Sequence, residues 1–358
     1  MQLLNYQTYG NPNAINKLNE IINGTRIPHA MLFIGPEGTG KFYYALNFAL
    51  SINANVDNNI YNLIKNLSEP YIKFIFPVPS AKEDIDDNST NAEYIQDYFS
   101  HKAINPFYKN LTNPGKVITI DTIRELNNFA YLLVSEVKYR VIIIEDAHLL
   151  SSNAQQSLLK ILEEPPEGII FILLSSQPNL LLDTIKSRCQ IINFAKLSND
   201  NLKNILSHYY DINQLNDDIL TISEGQYTNY LFYKNEDTSY IKNKIIEFLR
   251  ATVTKKFFSA HSICKSFYEK NSKDFLTFLK FLVFWFYEAY NYANKKEIKL
   301  YKDYLNTIGN FTNKYDDKEF VKIVLNLEKF FQNINSNINL NILSINLILE
   351  LSQIKTKG

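Results

Sequence analysis

Seven residues constrain this chain more than any others: Gly35-Pro36-Glu37-Gly38-Thr39-Gly40-Lys41, which fit G-x-x-x-x-G-K. They lie between a short apolar run, Ala30 to Ile34, and a stretch of helical periodicity, Tyr43 to Ile52. Strand, glycine loop, helix is the order that a phosphate-binding loop requires. In such a loop, backbone amides at a helix N-terminus wrap phosphates and the lysine reaches the β and γ positions. Gly35, Gly38, Thr39, Gly40 and Lys41 are therefore candidate nucleotide-binding residues.

The residue after the lysine normally supplies a Ser or Thr hydroxyl to Mg²⁺. Here it is Phe42, and a phenyl ring offers nothing to a hard cation that prefers oxygen donors. A second element of such a site is a buried strand ending in acids. Arg140 to Ile144 is a β-branched run long enough only for a strand, and it runs into Glu145-Asp146. A hydrolytic site of this kind ends in Asp-Glu, one acid for the metal and one for the attacking water. The order here is reversed, so each carboxylate sits one methylene from its usual reach. The loop keeps the means to hold ATP or ADP, but metal-assisted hydrolysis is not expected.

Along the chain, residues 13–24 read as an amphipathic helix, and Ser152 with Gln155 three residues later matches a capping box opening a helix to Glu164. Pro165 and Pro166 end it. Ile169 to Leu174 and Cys189 to Phe194 read as strands, with a short helix between them. Alternation of this kind implies a parallel sheet covered on both faces. Strand signals cease after about residue 196. The expected organisation is an α/β domain over 1–195, a small helical domain over 196–240 and an all-helical domain over 241–358.

Residues 53–115 are polar and interrupted by Pro70, Pro77, Pro79, Pro106 and Pro114, with Tyr71 to Val78 the one plausible strand. They read as an insertion or long connection. The aromatic run from Phe275 to Tyr292 has helical spacing and few cations, which points to a packed core or subunit interface rather than base stacking.

Lysine plus arginine and aspartate plus glutamate each total 37 in 358 residues. That balance excludes a chain-wide electrostatic footprint for nucleic acid. Two cysteines, Cys189 and Cys264, cannot build a disulfide framework or a four-cysteine zinc site. The first residues lack the basic and apolar regions of a signal peptide, and no apolar run is long enough to span a bilayer. A cytoplasmic protein with no membrane partner is expected.

The stretch Arg140 to Phe194 carries a family likeness. It contains Leu158-Leu159-Lys160-Ile161-Leu162-Glu163-Glu164-Pro165-Pro166 and then Ser187-Arg188-Cys189, with Pro28-His29-Ala30 upstream of the loop. In this the chain resembles the clamp-loader subfamily of AAA+ proteins of the bacterial DNA polymerase III system. The resemblance spans about residues 5–52 and 116–235. It implies an AAA+ domain, a helical lid and an all-α collar, and assembly with motor gamma or tau subunits and a delta subunit. It also implies action on a sliding clamp and primed DNA. Among family types the chain looks like the non-motor delta-prime rather than the gamma or tau motors. Phe42 and the reversed acids point that way. So does Thr228, which stands where the resemblance places a sensor arginine in the motors.

By the same resemblance, Arg188 projects across a subunit boundary as an arginine finger for a neighbour's site, and the helix beginning at Ser152 faces DNA through Ser152, Asn153 and Gln156. Family members often carry a four-cysteine zinc module after the first helix. Residues 53–115 hold no cysteine, so neither zinc nor any other metal site is expected. His29, His148 and Ser176 flank these elements, the histidines read as packed residues and Ser176 as either a phosphate ligand or a turn residue. Cys189 reads as a small buried residue.

Overall fold

The computed structural model describes residues 7–79, 91–111, 115–131, 135–269, 271–334 and 339–357. They form two compact units: residues up to 214 together with 224–229, and residues 215–223 together with those from 230 onward. Residues 196–240 are thus divided between the two.

In the first unit the order is α1 (Pro12–Asn23), β1 (Ala30–Ile34), α2 (Lys41–Ile52), α3 (Asn58–Lys65), β2 (Ile72–Ile75), α4 (Asn91–Ile104), α5 (Ile120–Ala130), β3 (Arg140–Ile144), α6 (Ser152–Glu163), β4 (Ile169–Ser175), α7 (Asp183–Lys186), β5 (Gln190–Asn193) and α8 (Asn199–Tyr210). The five strands form one sheet in the order β2-β3-β4-β1-β5, every pairing parallel. Every residue of β3 and β4 is buried. That explains why their sequences run apolar without alternation: helices cover both faces. Leu32, Ile142 and Phe171 point to one side, where Leu126 and Phe129 of α5 and Leu158 and Leu162 of α6 close the core.

Two readings of the sequence change. Residues 53–115 hold the strand expected over Tyr71 to Val78, as the edge strand β2, in register with β3 from Ile72 opposite Val141 to Ile75 opposite Ile144, but they also hold helices α3 and α4, which were not expected. Their polar residues misled because some are caps. Asp57, for example, accepts from the backbone amides of Asn59 and Ile60 at the start of α3. The second change is at α6. Ser151, not Ser152, is the N-cap, accepting from the Ala154 amide. Gln155 does not reach back to the cap; it donates to the carbonyls of Leu150 and Leu180 and accepts from the Leu182 amide, tying α6 to the turn before α7.

The second unit is helical. It holds α9 (Asp217–Ser223), the end of α10 (Tyr227–Tyr233), α11 (Thr238–Val253), α12 (Phe257–Tyr268), α13 (Ser272–Ala293), α14 (Leu305–Lys314), α15 (Asp317–Ile334) and α16 (Leu340–Ser352). The aromatic run is its core: Phe275, Phe278, Phe281, Trp285 and Phe286 of α13 are buried. Buried Glu288 accepts from the backbone amides of Lys299, Leu300 and Tyr301 at 2.7–2.8 Å, which fixes the chain returning from α13. Among the described residues no helix is long and apolar enough to cross a membrane.

Candidate functional site

The glycine loop leaves the C-terminal end of β1, and Glu145-Asp146 leave the C-terminal end of β3, with β4 between them. Parallel α/β sheets place ligands at these strand ends. With two inter-strand spacings separating them, the backbones stand about 10 Å apart, a gap that side chains of the chain itself occupy.

Lys41 does not extend outward. Its Nζ donates to the carbonyls of Gly35 and Pro36 at 2.8 and 2.6 Å, folding back on its own loop. Burial lowers its ammonium to about 8. Thr39 is buried and donates through Oγ1 to the Pro36 carbonyl. Gly40 adopts a left-handed conformation as α2 begins. Phe42, one residue into α2, is buried with its ring 4.8 Å from that of Phe74 on β2.

Two lysines from the 91–109 segment meet the two acids. Lys102 on α4 is fully buried; its Nζ donates to Glu145 Oε1 at 2.8 Å and to the Tyr108 carbonyl at 2.8 Å. The same ammonium lies 4.3 Å from the centre of the Phe42 ring, within cation–π range. Tyr98 Oη donates to Glu145 Oε2 at 2.9 Å. Burial drives the Lys102 ammonium below its ordinary range, against the pull of Glu145. Lys109 pairs with Asp146 and lies 3.9 Å from Glu37 Oε1, so it bridges the acid after β3 and the loop after β1. Burial opposes charge on Lys109, but Asp146, Glu145 and Glu37 together hold it above the usual lysine value. Burial likewise opposes charge on Asp146, and Lys109 outweighs it, holding the carboxyl below its ordinary value.

The segment 224–229 covers the loop. Leu197 N donates to the Gly225 carbonyl and Tyr227 N to the Gly38 carbonyl. Thr228 is thereby brought against Gly38, whose φ of +68° and close approach both require glycine: a Cβ there would sit 2.5 Å from Thr228 Oγ1. Among the described residues that buried hydroxyl has no hydrogen-bond partner.

What remains at the loop is a cavity of about 30 Å³ lined by residues including Lys41, Phe42, Lys109 and Tyr227. A magnesium nucleotide does not fit these residues as arranged. Phe42 supplies no hydroxyl where a metal ligand is expected, Lys41 Nζ is bonded to its own loop, and both acids already hold cations. The sequence marked the loop and the acids but missed Lys102, Lys109 and Tyr98. They lie 43, 37 and 47 residues from the carboxylates they meet, in a segment whose composition reads as a loop.

Arg188, just after α7, is about one-third exposed. It donates to Glu163 Oε1 on α6 at 2.9 Å and to the Thr184 carbonyl at 3.0 Å. The two motifs Leu162-Glu163-Glu164-Pro165-Pro166 and Ser187-Arg188-Cys189 are therefore joined by an ion pair. Burial pushes the Cys189 thiol up to about 12, which leaves no thiolate for chemistry. His148 is buried, which lowers its imidazole, and His29 Nε2 is buried with no hydrogen-bond partner among the described residues. The hydroxyl that closes the turn after β4 is Ser175, accepting from the Gln177 amide; Ser176 is not part of that bond. Ser152, Asn153 and Gln156 are exposed on α6.

A parallel sheet in this strand order, with a glycine loop after β1 and acids after β3, defines the first unit as a P-loop domain of the AAA+ type. The family described as "DNA polymerase III, delta subunit" matches residues 10–198, more than half of the chain, and the protein belongs to it. The chain is 29% identical over 211 residues to DNA polymerase III subunit tau of Bacillus subtilis, covering 58% of this chain and 31% of that protein. It is 40% identical over 74 residues to subunit delta' of Pseudomonas aeruginosa, covering 21% and 23%. The chain thus spans about a third of the length of the first curated relatives it matches. Among solved structures, a gamma subunit-related protein of Thermotoga maritima is 17% identical with a TM-score of 0.41, covering 95% of this chain and 98% of that one.

Proposed function

We propose that this protein is a delta-prime-type subunit of a DNA polymerase III clamp loader: a non-hydrolysing AAA+ member that supplies Arg188 to a neighbouring motor subunit. The observation that carries the reading is the trio Phe42, Lys102 and Glu145. Where a hydrolytic site has hydroxyl, metal and carboxylate, this chain has an aromatic face, an ammonium and a carboxylate. The positive charge the acids need comes from inside the fold, so the site is complete without metal or nucleotide. Binding of ATP or ADP without turnover would be confined to an opened form of the site.

In this reading the chain assembles with gamma or tau and delta subunits in the cytoplasm, through a collar formed by residues 241–358, with 196–240 as a lid. The complex opens a sliding clamp and closes it on primed DNA. Arg188 leaves Glu163 when a neighbour's triphosphate presents a stronger anion. A fixed guanidinium there stabilises charge spreading over phosphoryl oxygens, an effect of roughly 10³ to 10⁵ in rate in well-studied systems.

The test is ATP turnover by the reconstituted complex with clamp and primed DNA, comparing the natural chain with Arg188→Ala. A loss of about a hundredfold or more with assembly intact supports the finger. The Arg188–Glu163 pair favours one rival, a purely structural subunit, and unchanged turnover in the variant complex would establish it. Sustained turnover by the isolated chain would instead make it a motor of the gamma or tau type.

A further inference from the structure

Six ammonium groups of the second unit have a carboxylate partner: Lys242 with Asp218, Lys244 with Glu247, Lys265 with Glu269, Lys273 with Glu236, Lys299 with Glu297, and Lys322 with Glu319. Four that do not gather at one place. Lys295, Lys296, Lys302 and Lys357 line an open groove of about 660 Å³, and among the described residues none has a carboxylate within ion-pair distance.

Their convergence is a product of the fold. Lys295 and Lys296 follow the end of α13, where Lys295 turns the chain with φ +57°. Lys302 comes from the turn before α14. Lys357 arrives from the far end of the chain, because Tyr315 bridges to Thr356 and Lys357 N donates to the Lys314 carbonyl at 2.9 Å. Helix-end lysines are ordinarily explained by the dipole of their own helix, but that accounts for at most two of these four. The acids at the groove are Asp317 in its wall and neighbouring Asp316, whose carboxylate feels Lys357. In a chain of zero net charge, this is a local excess of cations held around a concavity.

We propose that this groove binds the phosphate backbone of single-stranded DNA, independently of the loop site and of Arg188. One aromatic side chain in the lining, Tyr292, favours a nucleic acid over a bare polyphosphate. Tyr292 lines the groove and is 39% exposed, unlike the buried aromatics that precede it on α13. It approaches α14 at Gly309, where a Cβ would come within 3.1 Å of its Oη. Cations that track phosphates beside a ring on which a base can stack are the recurring means of binding single strands without reading sequence.

The experiment titrates the full chain into a fluorescent oligothymidylate of about 20 nucleotides over a salt series. If all four ammoniums reach phosphates, log K falls against log salt with a slope of about −3. Replacing all four lysines by alanine should flatten that slope and weaken binding by at least about tenfold at roughly 50 mM salt. Because the four side chains are exposed, circular dichroism and melting should be unchanged. Tyr292→Ala should weaken DNA while leaving the salt slope intact. No binding at low salt, or an unaltered slope in the quadruple variant, overturns the proposal. Displacement by inorganic polyphosphate as efficient as by unlabelled DNA removes the assignment to nucleic acid. Normal DNA binding with failed assembly of the quadruple variant would make the groove a protein interface instead.

Discussion

Lys102 Nζ and Glu145 Oε1 lie 2.8 Å apart inside the first unit, with the ammonium also stacked 4.3 Å over the ring of Phe42. Removing one partner of a buried pair leaves an uncompensated charge, whereas replacing both with apolar groups of similar size does not. Lys102→Met should therefore lower unfolding stability by roughly 3 to 5 kcal/mol. The double variant Lys102→Met with Glu145→Leu should recover most of it. Denaturant unfolding of the three proteins decides the matter, and equal losses in the single and double variants would contradict the pairing.

The Lys109–Asp146 pair makes a statement about acid stability. Asp146 titrates below its unfolded value, so what it contributes is complete above about pH 4 and is lost as pH falls through the folded value. Lys109 titrates above its unfolded value, so its share is complete below about pH 10 and fades only as pH rises further. Lys109→Ala should thus be clearly less stable than the natural protein at pH 6, and the difference should narrow toward pH 3. A gap that stays constant or widens on acidification would show that the pair is not what holds Asp146 ionised.

Lys41 behaves in the opposite sense. Buried against its own loop, it gives up its proton near pH 8, while the unfolded chain keeps its lysines charged to about pH 10. Between those values the unfolded state binds more protons, so stability contributed at this residue rises with pH. A heteronuclear titration of lysine side-chain resonances, assigned with Lys41→Met, should show one signal with a midpoint near 8. A midpoint at or above 10 would mean that Lys41 is solvated and free to reach a ligand.

Ser151 and Ser152 are adjacent and chemically identical, yet only Ser151 caps α6 by accepting from the Ala154 amide. Ser151→Ala should cost about 1 kcal/mol, and Ser152→Ala, at an exposed first-turn position, should change stability by no more than about half of that. Thermal melts of the two variants separate the registers. The same Ser152→Ala protein, incorporated into a complex with primed DNA, also asks whether the exposed hydroxyl meets a phosphate.

The sequence by itself determined whatever depends on neighbours along the chain. An apolar run, a glycine loop and a helix are contiguous, so the phosphate loop after β1 was legible, as were the acids at the end of β3 and the buried β-branched strands. That Phe42 offers no oxygen to a cation was equally a matter of one side chain's chemistry. Only the tertiary structure decided what closes the site. Lys102, Lys109 and Tyr98 come from a stretch with no strong periodicity, and they become ligands of Glu145 and Asp146 only because β2 pairs with β3 and carries α4 to the strand ends. The same holds for Lys357, brought to the groove by a bridge between residues far apart in the chain. Local pattern encodes local backbone, but an ion pair or a binding groove is a coincidence of distant residues in space, and only the packed chain specifies it.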